Sequence, residues 1–228
     1  MILETTGSGP LGVAVREAIR GIEEGVRSTR GDDPDLFMKA LGCHAIVGAA
    51  GSSLLDGRLE PAPSPERMRG IVRAANAPGV KLVVAVVPTG GRYDDEELVL
   101  KKDGIPYVIL RCAPLIEELA DAANFHVTSS LWLAPGQTIA VSSGSALAAA
   151  VARALRDDTL QGATVEVAST PIELSEALRR AARIAGASTT VRTAPRTVSA
   201  AVHAVAKWLH VPQPPALALC ERMLGSAA

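Results

Sequence analysis

Thr6-Gly7-Ser8-Gly9-Pro10-Leu11-Gly12 spaces its glycines as Gly-x-Gly-x-x-Gly, between a short apolar run and a helix-patterned stretch. Few local patterns narrow the choice of fold as far. The first glycine permits a tight turn, the second lets backbone approach a pyrophosphate, and the third lets the helix pack close to the sheet. Amides at the helix start have no intrahelical acceptor and can face phosphates. Gly7, Gly9, Pro10, Leu11 and Gly12 are therefore the residues expected to hold a dinucleotide.

The rest of the chain alternates. Strand signals fall at Ile2–Thr5, Gly25–Thr29, His44–Ala49, Lys81–Val87, Pro106–Arg111, Thr138–Ser142 and Thr164–Ala168. Helical patterns at Leu11–Gly21, Asp35–Leu41, Pro65–Ala75, Asp95–Lys102, Ser145–Arg156 and Glu173–Ile184 separate most of them. Such alternation means βαβ units and a mainly parallel sheet. Leu82 through Val87 are apolar throughout, as a strand covered on both faces should be. The expected fold is α/β: a three-layer, doubly wound parallel sheet, Rossmann-like but shortened, with a small C-terminal helical cap. Residues 1–186 would form the nucleotide-binding domain, with a substrate-pocket segment at 113–140. Residues 187–228, punctuated by Pro195, Pro212, Pro214 and Pro215, would form the cap.

Composition excludes several alternatives. The 228 residues carry 23 basic and 24 acidic side chains in mixture, which suggests neither a nucleic-acid groove nor a membrane-surface face. Arg179, Arg180 and Arg183 read as a solvated helix face. The three cysteines, Cys43, Cys112 and Cys220, are dispersed, so neither a disulfide framework nor a metal site is indicated. No apolar run reaches the roughly 20 residues needed to span a bilayer, and the start has no leader-like pattern. A soluble, cytoplasmic protein is expected, with a small molecule as its partner and a homodimer as an admissible assembly.

Several segments resemble the short-chain dehydrogenase/reductase superfamily. Thr6–Gly12 resembles its TGxxGxxG turn, shortened by one residue. Arg30-Gly31-Asp32-Asp33-Pro34-Asp35, followed by Ala40 to Val47, resembles a segment of the extended and atypical branches. Ala74 to Lys81 resembles the helix exit before the fifth strand. Asp103-Gly104-Ile105-Pro106-Tyr107-Val108-Ile109-Leu110-Arg111 is similar to the SGIPYTILR stretch of NmrA-like proteins and nucleoside-sugar epimerase relatives. Val141–Leu155 stands at a further helix start of that family. The resemblance implies a Rossmann fold, an NAD or NADP cofactor, and reductase, dehydratase or epimerase chemistry. It also implies cofactor contacts at Asp32 and Ala50.

The departures matter as much. The spacing from Gly12 to Asp32 holds one βα unit where relatives have two. If Gly25–Arg30 leads to the Asp32 motif, the second strand is absent, and with it the residue that reads the adenosine ribose. If Gly25–Arg30 is instead that second strand, Arg30 could meet a 2′-phosphate and the third strand is absent. The motif match favours the first option. The Tyr-x-x-x-Lys signature, in which a lysine lowers the tyrosine pKa, is also missing. Tyr93 is followed four residues later by Glu97, which reads as a capping or solvated residue. Thr89 and Tyr93 fall at the signature's two positions.

Tyr93, Thr89 and His126 are the catalytic candidates, with Arg111 and Trp132 at the substrate. Arg111 otherwise needs a carboxylate partner as a buried strand residue. Glu4, a charge inside the first strand, likewise demands a partner or a proton. The leading expectation is an NAD(P)-dependent oxidoreductase of the atypical short-chain, NmrA-like type acting on a small organic molecule. A non-redox isomerase, cyclase or dehydratase on the same fold is the alternative, and a non-catalytic NAD(P)-sensing regulator the third.

Overall fold

The structure is a computed structural model, and it describes residues 1–7, 9–23, 25–30, 33–50, 54, 66–89, 94–123, 130–133, 135–188 and 190–193. The main sheet has six strands: β1 (Ile2–Glu4), β2 (Val26–Ser28), β3 (Ala45–Ala49), β4 (Leu82–Pro88), β5 (Tyr107–Cys112) and β8 (Thr164–Glu166). They lie in the order β2-β1-β3-β4-β5-β8, and every neighbouring pair is parallel.

Side chains leave a strand alternately to either face. Ile2, Val47, Val84, Val86 and Leu110 therefore go one way, to meet Leu11, Val15, Leu147 and Val151 of helices α1 (Pro10–Arg20) and α6 (Gly144–Arg156). Leu3, Ile46, Val83, Ala85 and Ile109 go the other way, onto helices α2 (Leu36–Ala40), α3 (Glu66–Ala75) and α4 (Asp94–Lys102). The result is the expected three-layer, Rossmann-like α/β fold. Each helix supplies an apolar stripe: α1 buries Leu11, Ala14, Val15, Ala18 and Ile19, a 3–4 residue spacing. Pro10 occupies its first turn, where a missing N–H costs nothing. Ser143 caps α6 by accepting the Ala146 N–H at 3.2 Å.

The strand order corrects one expectation. The second-strand seat is filled: Ile2, Leu3 and Glu4 pair with Val26, Arg27 and Ser28. The next strand in the chain, β3, pairs with the opposite side of β1. In the doubly wound order 3-2-1-4-5-6, the unit with no counterpart among the described residues is thus the third, not the second. The Asp32 motif misled because it follows the third strand in relatives, whereas here it follows the strand hydrogen-bonded to β1.

Two compact units divide the chain: Met1–Leu115 with Ser142–Ser169, and Ile116–Val141 with Thr170–Ala228. The two alternate along the chain. The second unit contains α5 (Ile116–Ala123) packed against α7 (Leu174–Ile184). It also pairs β7 (Thr138–Val141) antiparallel with β9 (Thr170–Glu173), and β6 (Ser130–Leu133) parallel with β10 (Thr190–Thr193). The strand signal at Thr138 is therefore real but lies outside the main sheet. No helix among the described residues is long and apolar enough to cross a membrane.

Candidate functional site

In an open parallel sheet, ligands bind beyond the carboxyl ends of the strands, where the strand order reverses. Here that reversal lies at β1, from which the chain runs outward to β2 and then back across to β3. The glycine turn sits at this point. Gly7 has φ +93°, a left-handed backbone that glycine adopts without a Cβ penalty. At Gly12 a Cβ would lie 1.8 Å from the Gly7 carbonyl oxygen and 2.9 Å from Arg16 Nη1, so no side chain fits. Gly9 is the opposite case. Among the described residues a Cβ there meets nothing within 4 Å, and no side chain caps α1. Val13 donates to the Gly9 carbonyl at 3.0 Å. The amides before it have no acceptor within a helix. Among the described residues the turn is sealed beneath Gly12 and open above Gly9.

Side chains hold the turn from below. Glu4, at 0 % exposure, accepts from the Thr6 N–H at 2.6 Å, from the Thr6 hydroxyl, and from Arg16 Nη1 at 3.2 Å. The same Arg16 nitrogen donates to the Gly7 carbonyl at 2.6 Å. Arg67 of α3 donates from Nη2 to the Thr5 carbonyl at 3.0 Å. The charge in the first strand thus has its partner twelve residues on, in α1.

Beyond β2, Arg30 pairs its backbone with Thr6 in an isolated antiparallel bridge, and its side chain is exposed. Asp33 bends the chain after it, accepting from the Thr29 hydroxyl at 2.6 Å, from Lys39, and from the Asp35 N–H at 2.9 Å. The bond from Lys39, then those from Thr29 and the Asp35 amide, hold its carboxyl down at about 2, against an ordinary 3.8. Ala50 follows β3, is buried, and donates its N–H to the Val86 carbonyl at 3.1 Å.

At the other end of the sheet, Thr89 follows β4 and donates its N–H to the Cys112 carbonyl at 3.0 Å. Arg111, next to last in β5, donates from Nε to Glu97 Oε1 at 2.7 Å, and Lys101 meets Glu97 Oε2 at 3.1 Å. Glu97 is 3 % exposed. Burial pushes its carboxyl up, but the bonds from Arg111 and Lys101 outweigh that and leave it below the usual range. The expectation that Glu97 merely caps or solvates its helix is thus corrected, because the nearby Arg111 and Lys101 make burial tolerable.

The fold therefore gathers Gly7, Gly9, Pro10, Leu11, Gly12, Arg30 and Ala50 at the ends of β1 to β3. Thr89 and Arg111 lie at the ends of β4 and β5. Trp132 falls in β6 of the second unit, where its backbone pairs with Arg192. Asp32, Tyr93 and His126 lie outside the described residues. Arg16 and Arg67 escaped the sequence reading, although an acid in an apolar strand was a signal to look for a cation on the adjoining helix. A separate groove of about 590 Å³ between α3 and α4 sets Arg69, Arg73 and Lys102 against Glu66 and Asp103. It lies on a helical face, and its mixed charge selects no ligand.

The architecture is a Rossmann-like α/β fold shared with several solved structures. Among similar solved structures is a nucleoside-diphosphate-sugar epimerase from Staphylococcus aureus, at TM-score 0.63 and 15% identity, covering 99% of this chain and 90% of that one. Another is a dTDP-4-dehydrorhamnose reductase from Clostridium acetobutylicum, at TM-score 0.60 and 14% identity, covering 86% and 84%. A third is MoeE5, solved in complex with UDP-glucose and NAD, at TM-score 0.60 and 14% identity, covering 85% of each chain. At these identities the likeness is one of fold. No protein-family model matches the sequence, and no curated protein matches it.

Proposed function

We propose that the protein binds a nicotinamide dinucleotide, NADP in preference to NAD, and acts as an oxidoreductase on a small organic molecule. One observation carries this reading: the β1–α1 turn is closed under Gly12 and open over Gly9 at the reversal point of the sheet. The amides of Leu11 and Gly12 would receive the diphosphate. Arg30, exposed just after the strand beside β1, would accommodate a 2′-phosphate. When bound, a nicotinamide supplies or accepts a hydride. Arg111, held by Glu97, would anchor an anionic group of the substrate. Tyr93 or Thr89 would handle the proton. The fold and composition support a soluble, cytoplasmic protein.

A second reading is favoured by the Glu97 cluster. A buried carboxylate stands four residues after Tyr93, the spacing at which the superfamily's lysine follows its tyrosine. A non-redox isomerase, cyclase or dehydratase, or a dinucleotide sensor without turnover, needs no such lysine.

Calorimetric titration with NADPH and NADH separates these. The oxidoreductase reading expects NADPH to bind and carbonyl substrates to be reduced. Gly9→Val should then weaken NADPH by about 100-fold while unfolding shifts by no more than about 1 kcal/mol, since its Cβ enters open space. Arg30→Ser should cost about tenfold for NADPH and spare NADH. Binding without turnover supports the sensor, and product formation with no nucleotide supports the non-redox enzyme.

A further inference from the structure

The cluster beneath the glycine turn is more elaborate than packing requires. Glu4 lies in the middle layer of the molecule with no exposure, in a strand flanked by Ile2 and Leu3. Burying a carboxylate is costly unless it is paired and hydrogen-bonded, and an apolar replacement of such a pair is often neutral or stabilising. Stability therefore gives no reason for Glu4 and Arg16. Their geometry does. One Arg16 nitrogen bridges the Glu4 carboxylate at 3.2 Å and the Gly7 carbonyl at 2.6 Å. The Glu4 carboxylate meanwhile holds the Thr6 amide and hydroxyl. Gly12 leaves the gap this needs, since a Cβ there would strike both the Gly7 oxygen and Arg16.

We propose that Arg16 is a positioning residue for the diphosphate-binding turn, acting through the Gly7 carbonyl and itself held by Glu4. The inference rests on the dinucleotide reading above. Pinned beneath the turn, the Gly7 oxygen cannot face an incoming anion, and the left-handed backbone of Gly7 is fixed before ligand arrives. Because Glu4 balances the guanidinium charge, the contribution is one of geometry: the turn's ordering cost is met in the free protein.

The test compares wild type with Arg16→Met and Arg16→Lys. It uses NADPH titration, together with hydrogen exchange of the ligand-free protein over residues 5–12 and over β4. In Arg16→Met the turn amides should exchange about tenfold faster with β4 unchanged, and NADPH should bind about tenfold more weakly. Arg16→Lys, which can still donate to Gly7, should recover most of both. Unchanged turn exchange in Arg16→Met overturns the inference, as does NADPH affinity within about twofold of wild type where wild type binds. If wild type binds no dinucleotide, the proposed function falls, and turn exchange alone then decides the role of Arg16. Should Arg16→Met fail to fold, Glu4→Gln is read by the same two measurements. It keeps an oxygen for Thr6 but loses the charge that holds the guanidinium.

Discussion

The ends of β1 to β3 and the ends of β4 and β5 share one sheet edge but are built differently. The first is built of backbone: glycines, helix-start amides and a pinned carbonyl, with charged side chains set below to hold it. At the second, side chains dominate, and Glu97 sits between Arg111 and Lys101 four residues after Tyr93. The contrast is between a turn shaped by backbone and a cluster shaped by side-chain charge. A backbone cradle depends on φ/ψ and close approach. It therefore tolerates few replacements. A side-chain site needs only compensating charges, and those can come from any element within reach.

Substitutions at each end should break or sharpen this contrast. The largest effect is expected at Gly12→Val, whose Cβ would sit 1.8 Å from the Gly7 oxygen. Opening the turn should cost about 3 kcal/mol or more, or roughly 6–12 °C in Tm, and abolish nucleotide binding. Calorimetric melting checks this, and an unaltered Tm would remove the claim that the turn is sealed. Next comes Glu97→Gln, which leaves Arg111 and Lys101 facing a neutral amide. Both cations reach solvent, so the loss should be about 1–3 kcal/mol, below that of a fully buried pair. Urea unfolding at neutral pH measures it, and dinucleotide affinity should stay unchanged if the two ends are separate in function.

Gly48→Ala, in β3 between the two ends, would bring a Cβ to 2.6 Å from the end of Ile71 and 2.8 Å from Thr5 Oγ1. The Ile71 tip can swing, so about 1–2 kcal/mol is expected, again by urea unfolding. Asp33→Asn should have the smallest effect and a distinctive pH dependence. The folded carboxyl titrates at about 2 against an ordinary 3.8, so its contribution is present above 3.8 and is lost as pH falls toward about 2. The gap in urea midpoint between wild type and Asp33→Asn should close across that interval. A gap that persists at the lower limit would mean that Lys39 and Thr29 do not hold the charge.

Much of the first unit was legible because its signals are local. Glycine spacing placed the turn, and apolar runs alternating with helical patterns placed β3 and β4. Topology was less legible. Whether Val26–Ser28 pairs with β1 depends on contacts between distant segments, and a borrowed motif at Asp32 pointed the other way. The second unit was harder still. β6 and β10 are four residues each, pair across some sixty positions of chain, and carry no clear alternation. At the site, Glu4 announced an unmet need for a cation, but only the packing of α1 on β1 shows that Arg16 answers it. Glu97 gave no such warning, since a glutamate in a charged helix start reads as solvated.

A sheet that stops at β2 also has a margin to protect. Val26–Ser28 pairs on one side only among the described residues, and an unpaired strand flank is a template on which another chain can polymerise. Three residues make a poor template. Arg27 shortens it further in effect, since its guanidinium reaches back to the Lys39 carbonyl at 2.7 Å and ties the end of α2 to the same border. Brevity and that tether both work against the addition of another strand at this border.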